Sequence, residues 1–268
     1  MYRRLALLAI AGTVVVTTVT IGAQGRQGGR GVALPRRLGG EITAPKIPDA
    51  PAPRLPNGKP DMTGAWTGSI AWGNIIPALK PGETVELLPE AKKKMAARLV
   101  KEDPAVKCIL PTPPRGAGFP WRIVMTPTHA FILYEFWGHY RQVFLDGRGH
   151  PPQAEINPTW MGHSIGSWQG DTLVIDTIGF NDLGWLDGRG HPVSEKLHVI
   201  ERYTRTKLGT MRMEATVDDP GTYAKPFTLQ GEAELIPGGE LMEYSCSENN
   251  QDAPFLEGPA DTRGQGNN

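Results

Sequence analysis

From about residue 60 onward the chain alternates apolar and polar positions in short runs, the period-two pattern of strands that bury one face. In 210–217, Met211 and Met213 alternate with Arg212 and Glu214, core against solvent. Runs of this kind, rich in β-branched and aromatic residues, fall at 61–70, 122–126, 130–137, 140–145, 163–168, 172–178, 196–205, 210–217, 227–235 and 240–246. They predict about ten strands. Between several of them lie turn sequences such as Gln169-Gly170-Asp171 and Pro237-Gly238-Gly239, whose glycines permit a tight reversal. One stretch alone has helical spacing: Leu88, Ala91, Met95 and Leu99 form an apolar face behind Pro89, and Pro104 ends it. The expected fold is therefore mainly β, an antiparallel up-and-down meander with one short N-terminal helix. A meander that long leaves two open edges unless it curls round, so closure into a barrel is predicted.

Composition narrows the function classes. The chain has 268 residues with 28 basic and 28 acidic side chains, which leaves no basic excess for capture of nucleic acid. Its 33 glycines and 25 prolines suit many turns and exclude a long coiled coil. The first residues read Met1, Tyr2, Arg3, Arg4, then an uncharged apolar run over 5–21 and Gly22-Ala23. That order is a secretory signal peptide over 1–23, the alternative being an uncleaved membrane anchor. Without Arg3 and Arg4 the mature chain is slightly acidic. Residues 24–59 are rich in Gly, Arg and Pro without apolar periodicity and read as a disordered tether, as does the tail over 251–268. A single folded domain is expected over 60–250, exported to the periplasm or beyond, with no membrane contact past the leader. In such a compartment the two cysteines, Cys108 and Cys246, are expected to pair. Closing so long a loop contributes on the order of 4–5 kcal/mol in the chain-entropy model.

Two resemblances add to this reading. Gly64-Ala65-Trp66 at the start of the first strand is similar to the Gly-x-Trp opening of calycins, the lipocalin superfamily, and implies a barrel by architecture only. The stretch Gly162-His163-Ser164-Ile165-Gly166-Ser167-Trp168-Gln169-Gly170-Asp171-Thr172-Leu173-Val174-Ile175-Asp176-Thr177, with Glu201-Arg202-Tyr203, resembles a family of uncharacterised exported bacterial proteins. That likeness implies export and brings no reaction with it.

Candidate chemistry comes from three sources. Strands 130–137, 172–178 and 196–205 carry Glu135, Asp176 and Glu201 among apolar neighbours, with Arg141, Arg202 and Arg122 as counter-charges. Inward-facing charges must pair, because an unpaired buried charge is costly. The heptapeptide Leu-Asp-Gly-Arg-Gly-His-Pro occurs twice, as 145–151 and 186–192, giving Asp146, Arg148 and His150 in one loop and Asp187, Arg189 and His191 in the other. If both loops met at one barrel mouth they could bind a metal or an anion; otherwise they are turn chemistry. His163 with His150 and His191 is the trio nearest to a metal set. No His-x-x-x-His or Cys-x-x-Cys spacing supports it, and neither metal nor cofactor is expected. Gly162-His163-Ser164-Ile165-Gly166 matches Gly-x-Ser-x-Gly, but between two strands rather than before a helix, so Ser164 lacks the context of a nucleophile elbow.

Two functions follow as expectations. One is a binding barrel whose interior, lined by Trp66, Glu135, Trp137, Trp160, Trp168 and Arg202, holds a small amphipathic or hydrophobic molecule. The other is an acid–base enzyme, an isomerase, lyase or hydrolase, in which His163 works with Asp176 or Glu201 and Arg141 stabilises a developing anion in that cavity.

Overall fold

The computed structural model describes residues 46–70, 72–115, 119–246, 248 and 256–262. The expected leader and the tether up to residue 45 lie outside these residues, and the described chain belongs to the compact unit Ile42–Asn268. Nine strands close into a barrel: β1 (Gly64–Thr67), β2 (Trp121–Met125), β3 (His129–Tyr134), β4 (His139–Phe144), β5 (His163–Gln169), β6 (Thr172–Ile178), β7 (His198–Lys207), β8 (Thr210–Asp218) and β9 (Phe227–Leu235). Each neighbours the next in chain order, and β9 returns to β1 through Trp66 opposite Leu235 and Thr67 opposite Glu234. The meander and its closure are as expected.

Two details differ from expectation. The stretch 240–246 forms no tenth strand, for a physical reason: β1 already occupies the free edge of β9, and a closed barrel has no edge left to pair. The pairing is also mixed. β4 and β5 run parallel and meet over only two pairs, Val143 opposite Ser164 and Phe144 opposite Ile165, whereas every other neighbour is antiparallel. A tight hairpin forces antiparallel neighbours, but the long connection over 145–162 carries the chain back before β5 begins. This seam is the thinnest backbone contact of the wall between β2 and β9.

Alternation sets the core. In β7, Val199, Glu201, Tyr203 and Arg205 are buried while His198, Ile200, Arg202 and Thr204 are only half-buried. β8 repeats this with Met211, Met213, Ala215 and Val217, all 2% exposed or less. Trp66 and Trp121 stack at 6.4 Å inside, with Ile123, Ile132, Leu173 and Ile175 around them. Burying each such side chain contributes roughly 1.5–3 kcal/mol. At eight or nine strands a barrel is about wide enough for its own side chains to fill. This one is filled.

The remaining chain covers the barrel. The helix α1 (Pro89–Ala97) starts at its proline, as expected, and buries Ala91. Cys108 and Cys246 are bonded, joining the connection after α1 to the C-terminal segment rather than to a strand. The tether was expected to extend to residue 59, but its last part lies along the barrel: Arg54 makes a bidentate ion pair with Asp171 at 2.6 and 2.7 Å, and Leu208 N–H donates to Ala50. Likewise part of the expected tail returns to the helix layer, where Ala260 is buried and donates to the Arg98 carbonyl. In both places backbone hydrogen bonds to the folded domain offset an entropy that composition alone suggested would win. No helix among the described residues is long and apolar enough to cross a membrane.

Candidate functional site

Strand alternation puts neighbouring residues of the barrel wall on opposite sides, and at the β4–β5 seam it sorts the ionisable groups into two clusters. Ser164 and Thr177 are buried inside; His163 and Asp176, one residue away on the same strands, are on the outer side.

The inner cluster centres on Arg141 of β4. Its Nη2 lies 2.5 Å from Glu201 Oε2 across the barrel and donates to Thr177 Oγ1 at 2.6 Å, while its Nε donates to Ser164 Oγ at 3.0 Å. Tyr203 donates its hydroxyl to Glu201 Oε1 at 2.8 Å. Burial alone would depress the Arg141 guanidinium, but the Glu201 carboxylate more than reverses it and keeps the cation charged. Tyr134 is pushed up to about 12, chiefly by burial, and Tyr203 well above its ordinary range for the same reason, reinforced by Glu201. Both phenols stay protonated at any physiological pH. Arg141 thus ties β4 to β5, β6 and β7, closing from within the seam that the backbone holds by two pairs. Arg141 Nη1 and Glu201 Oε2 are buried without a hydrogen bond of normal geometry. The Oε2 is the atom that faces Arg141, so its charge is matched although its lone pairs are not saturated. Beside this cluster lies a cavity of about 20 Å³ bounded by Trp121, Tyr134, Glu201, Tyr203 and the covering residues Pro113 and Pro114. That is the room of one or two waters.

The outer cluster is a chain of three imidazoles and a carboxylate. His150, from the first heptapeptide loop, puts Nδ1 2.9 Å from His163 Nδ1 and Nε2 3.1 Å from Asp176 Oδ1. His198 of β7 reaches the same Oδ1 at 2.8 Å. His163 stacks on Phe144, their centroids 5.3 Å apart, and the Arg148 guanidinium lies 4.0 Å from the centroid of that ring while pairing with Asp146 at 2.6 Å. Burial, then His150 and Arg148, lowers the proton affinity of His163.

The four residues expected to share one catalytic cavity are therefore divided by the wall: Arg141 with Glu201 inside, His163 with Asp176 outside. The two heptapeptide loops do not form a common site either. In the second, Asp187 and His191 are buried and bond each other, packed beneath Trp72, Ile75 and Arg98. This also separates His191 from the trio with His150 and His163. Of the expected lining residues, Trp66 is in the core, and Trp160 and Trp168 pack partly buried against it. Glu135 is buried but accepts the Met242 N–H at 2.9 Å, holding the C-terminal segment instead of facing the lumen. Arg202 sits on the outer face, opposite Val174 and Glu214. Trp137 belongs to the 3-10 turn Phe136–Gly138, and its side chain lies outside the described residues. Ser164 is a hydrogen-bond partner of Arg141 and Thr177, with no described imidazole in reach of its hydroxyl. Sequence reasoning did not select Tyr203, Thr177, Trp121 or His198. Tyr203 and Thr177 could have been reached by parity from Glu201 and Leu173, whereas His198 needs the β6–β7 register. No family model, curated protein or solved structure matches the chain.

Proposed function

We propose that this is an exported binding barrel that takes the polar end of a slender molecule beside Glu201 and Tyr203. The observation that carries the reading is the buried Arg141–Glu201–Tyr203 cluster set against a cavity whose other walls include Trp121, Ile132 and Met213. A barrel selected for stability alone is served as well or better by apolar filling, since a buried ion pair seldom repays its desolvation. The resting cavity is too small for a ligand of more than one or two heavy atoms, so entry requires Pro113 and Pro114 to move aside. These residues follow Cys108 closely, and the disulfide anchors that covering segment to the C-terminal strap. A group with an N–H or O–H donor suits the unsaturated Glu201 Oε2, and Trp121, Ile132 and Met213 suit an apolar stem. Export is supported by the leader pattern over 1–23 and by the disulfide.

Native mass spectrometry of the protein purified under mild conditions, followed by titration of slender amines and alcohols against tryptophan fluorescence, tests this. The expected result is a bound mass or a saturable shift that Glu201→Gln and Tyr203→Phe each weaken by tenfold or more, corresponding to about 1.4 kcal/mol. An apo mass alone, with no saturable shift across that set, overturns the reading.

A further inference from the structure

The outer histidine chain has a proton inventory that its geometry dictates. A carboxylate only accepts, so the two Nε2 atoms held by Asp176 Oδ1, those of His150 and His198, both carry hydrogen. Neutral His150 then has a lone pair on Nδ1, which faces His163 Nδ1 at 2.9 Å. His163 must donate there, and its own Nε2 is left as the lone pair. That Nε2 bonds no described residue and is not among the buried unpartnered atoms, so it meets solvent. The sequence Asp176–His150–His163 thus fixes both the tautomer and the orientation of an exposed imidazole, as a carboxylate-held histidine does for a nucleophile in acyl-transfer sites. The charged and titratable groups around it are His129, Asp146, Arg148, His150, Asp176 and His198. Arg148 spends Nε and Nη2 on Asp146, and its Nη1 makes no hydrogen bond among the described residues. It lies over the same Phe144 ring that His163 stacks on.

We propose that this outer face is an ester-hydrolysing site for small aryl esters, with His163 Nε2 as the base and His150 and Asp176 as positioning residues. The Phe144 ring is already covered by His163 and Arg148, so the class is set by the leaving group: a phenoxide departs readily without a second acid. Water gives a proton to Nε2 as its oxygen adds to the ester carbonyl carbon. The tetrahedral intermediate, its oxyanion within the field of Arg148, expels the aryl oxygen, which takes the proton back from Nε2. Ester and water become carboxylic acid and phenol, and His163 returns to its starting form. Throughout, the Nδ1–H of His163 stays on His150, and no oxidant or metal enters the balance. The site is independent of ligand binding in the barrel interior.

Two measurements on the full mature chain test it. In the first, diethyl pyrocarbonate is added at pH 6–8 and the carbethoxylated positions are resolved by mass spectrometry. His163 is expected to react several-fold faster than His129, which has no carboxylate or imidazole partner in its hydrogen bonding, only Thr128 at 2.8 Å, packs on Phe131 and Phe144, and serves as the control. In the second, p-nitrophenyl acetate hydrolysis is followed against pH. His163→Gln is expected to lose on the order of a hundredfold. Asp176→Asn keeps the shape without the charge; it is expected to lose about tenfold and to displace the acid limb of the profile to lower pH. Equal reactivity of His163 and His129 overturns the proposal without recourse to any variant, and so does a His163→Gln protein as active as the parent.

Discussion

The two copies of Leu-Asp-Gly-Arg-Gly-His-Pro have identical sequences and opposite environments. In the first, 145–151, the aspartate and the central Gly-Arg-Gly are exposed; in the second, 186–192, everything but Arg189 is buried. The aspartate chooses differently in each. Asp146 pairs with Arg148 of its own loop, which leaves His150 to reach out to His163 and Asp176. Asp187 instead takes His191 at 2.7 Å, and accepts the backbone N–H groups of Ile75, Arg189 and His191. The backbone differs too: the left-handed glycine is the third residue in one copy, Gly147 at φ +82°, and the fifth in the other, Gly190 at φ +85°. Seven residues define a set of available partners, and the cover built by residues 72–98 and 260 selects among them. Function divides accordingly. The exposed copy contributes a histidine to a surface chain, and the buried copy serves as a hydrogen-bonding hub for the helix layer.

The largest test of this contrast is to remove each aspartate. Asp187→Ala strands three backbone donors and His191 inside the protein, and is expected to cost about 3–5 kcal/mol in urea unfolding. Asp146→Ala removes an exposed pair and is expected to leave the urea midpoint close to the parent's. Equal losses at the two positions would remove the distinction between them.

Acid titration separates the copies by a second route. Burial pushes the Asp187 carboxyl up, but the His191 hydrogen bond and charge, with the backbone donors, outweigh it and hold the group below its ordinary value of 3.8. A folded-state value below the unfolded one means that the unfolded chain binds more protons in between, so stability is full above about pH 4 and falls as pH drops through the lower value. Unfolding midpoints between pH 2 and 6 should show this limb in the parent and lose it in Asp187→Ala. Asp146, lowered by its Arg148 hydrogen bond but at the surface, should leave the limb in place when it is replaced.

How far the sequence could have been read this way depends on distance along the chain. Alternation in 199–205 and 211–217 was enough to assign inward and outward faces, because each strand carries its own period. Closure followed from counting edges. What stayed hidden required two strands at once. Asp176 was expected inside because Val174, Ile175 and Ile178 surround it, yet its parity partner Val174 is covered from outside, and the core face is Leu173–Ile175–Thr177. The parallel seam, and the reach of His150 across it to His163, depend on how the 145–162 connection lies over the wall. No local propensity encodes that. The same limit applies to the repeat, whose identical residues predict identical loops until a covering layer is known.

A smaller perturbation acts on aligned glycines and asks for a difference in sign. At Gly190 a methyl would lie 3.3 Å from Arg98 Cδ and 3.4 Å from Ala260 Cβ, on a backbone with positive φ. Gly190→Ala therefore combines strain of about 1–2 kcal/mol with a tight contact to Arg98 Cδ. Its counterpart in the first loop, Gly149, has no atom within 4 Å of the added carbon and is not among the positive-φ glycines. There the native backbone costs an alanine nothing, while the unfolded chain loses freedom. Gly149→Ala is expected to stabilise the protein by roughly 0.4–1 kcal/mol. Gly147→Ala falls between them, with open space around the methyl but positive φ, and should cost about 1 kcal/mol from strain alone. If the urea midpoints of the three variants rank Gly149→Ala above the parent, then Gly147→Ala, then Gly190→Ala, one heptapeptide has been folded in two ways by its surroundings. Destabilisation of similar size at Gly149 and Gly190 would mean instead that the motif carries a single intrinsic conformation.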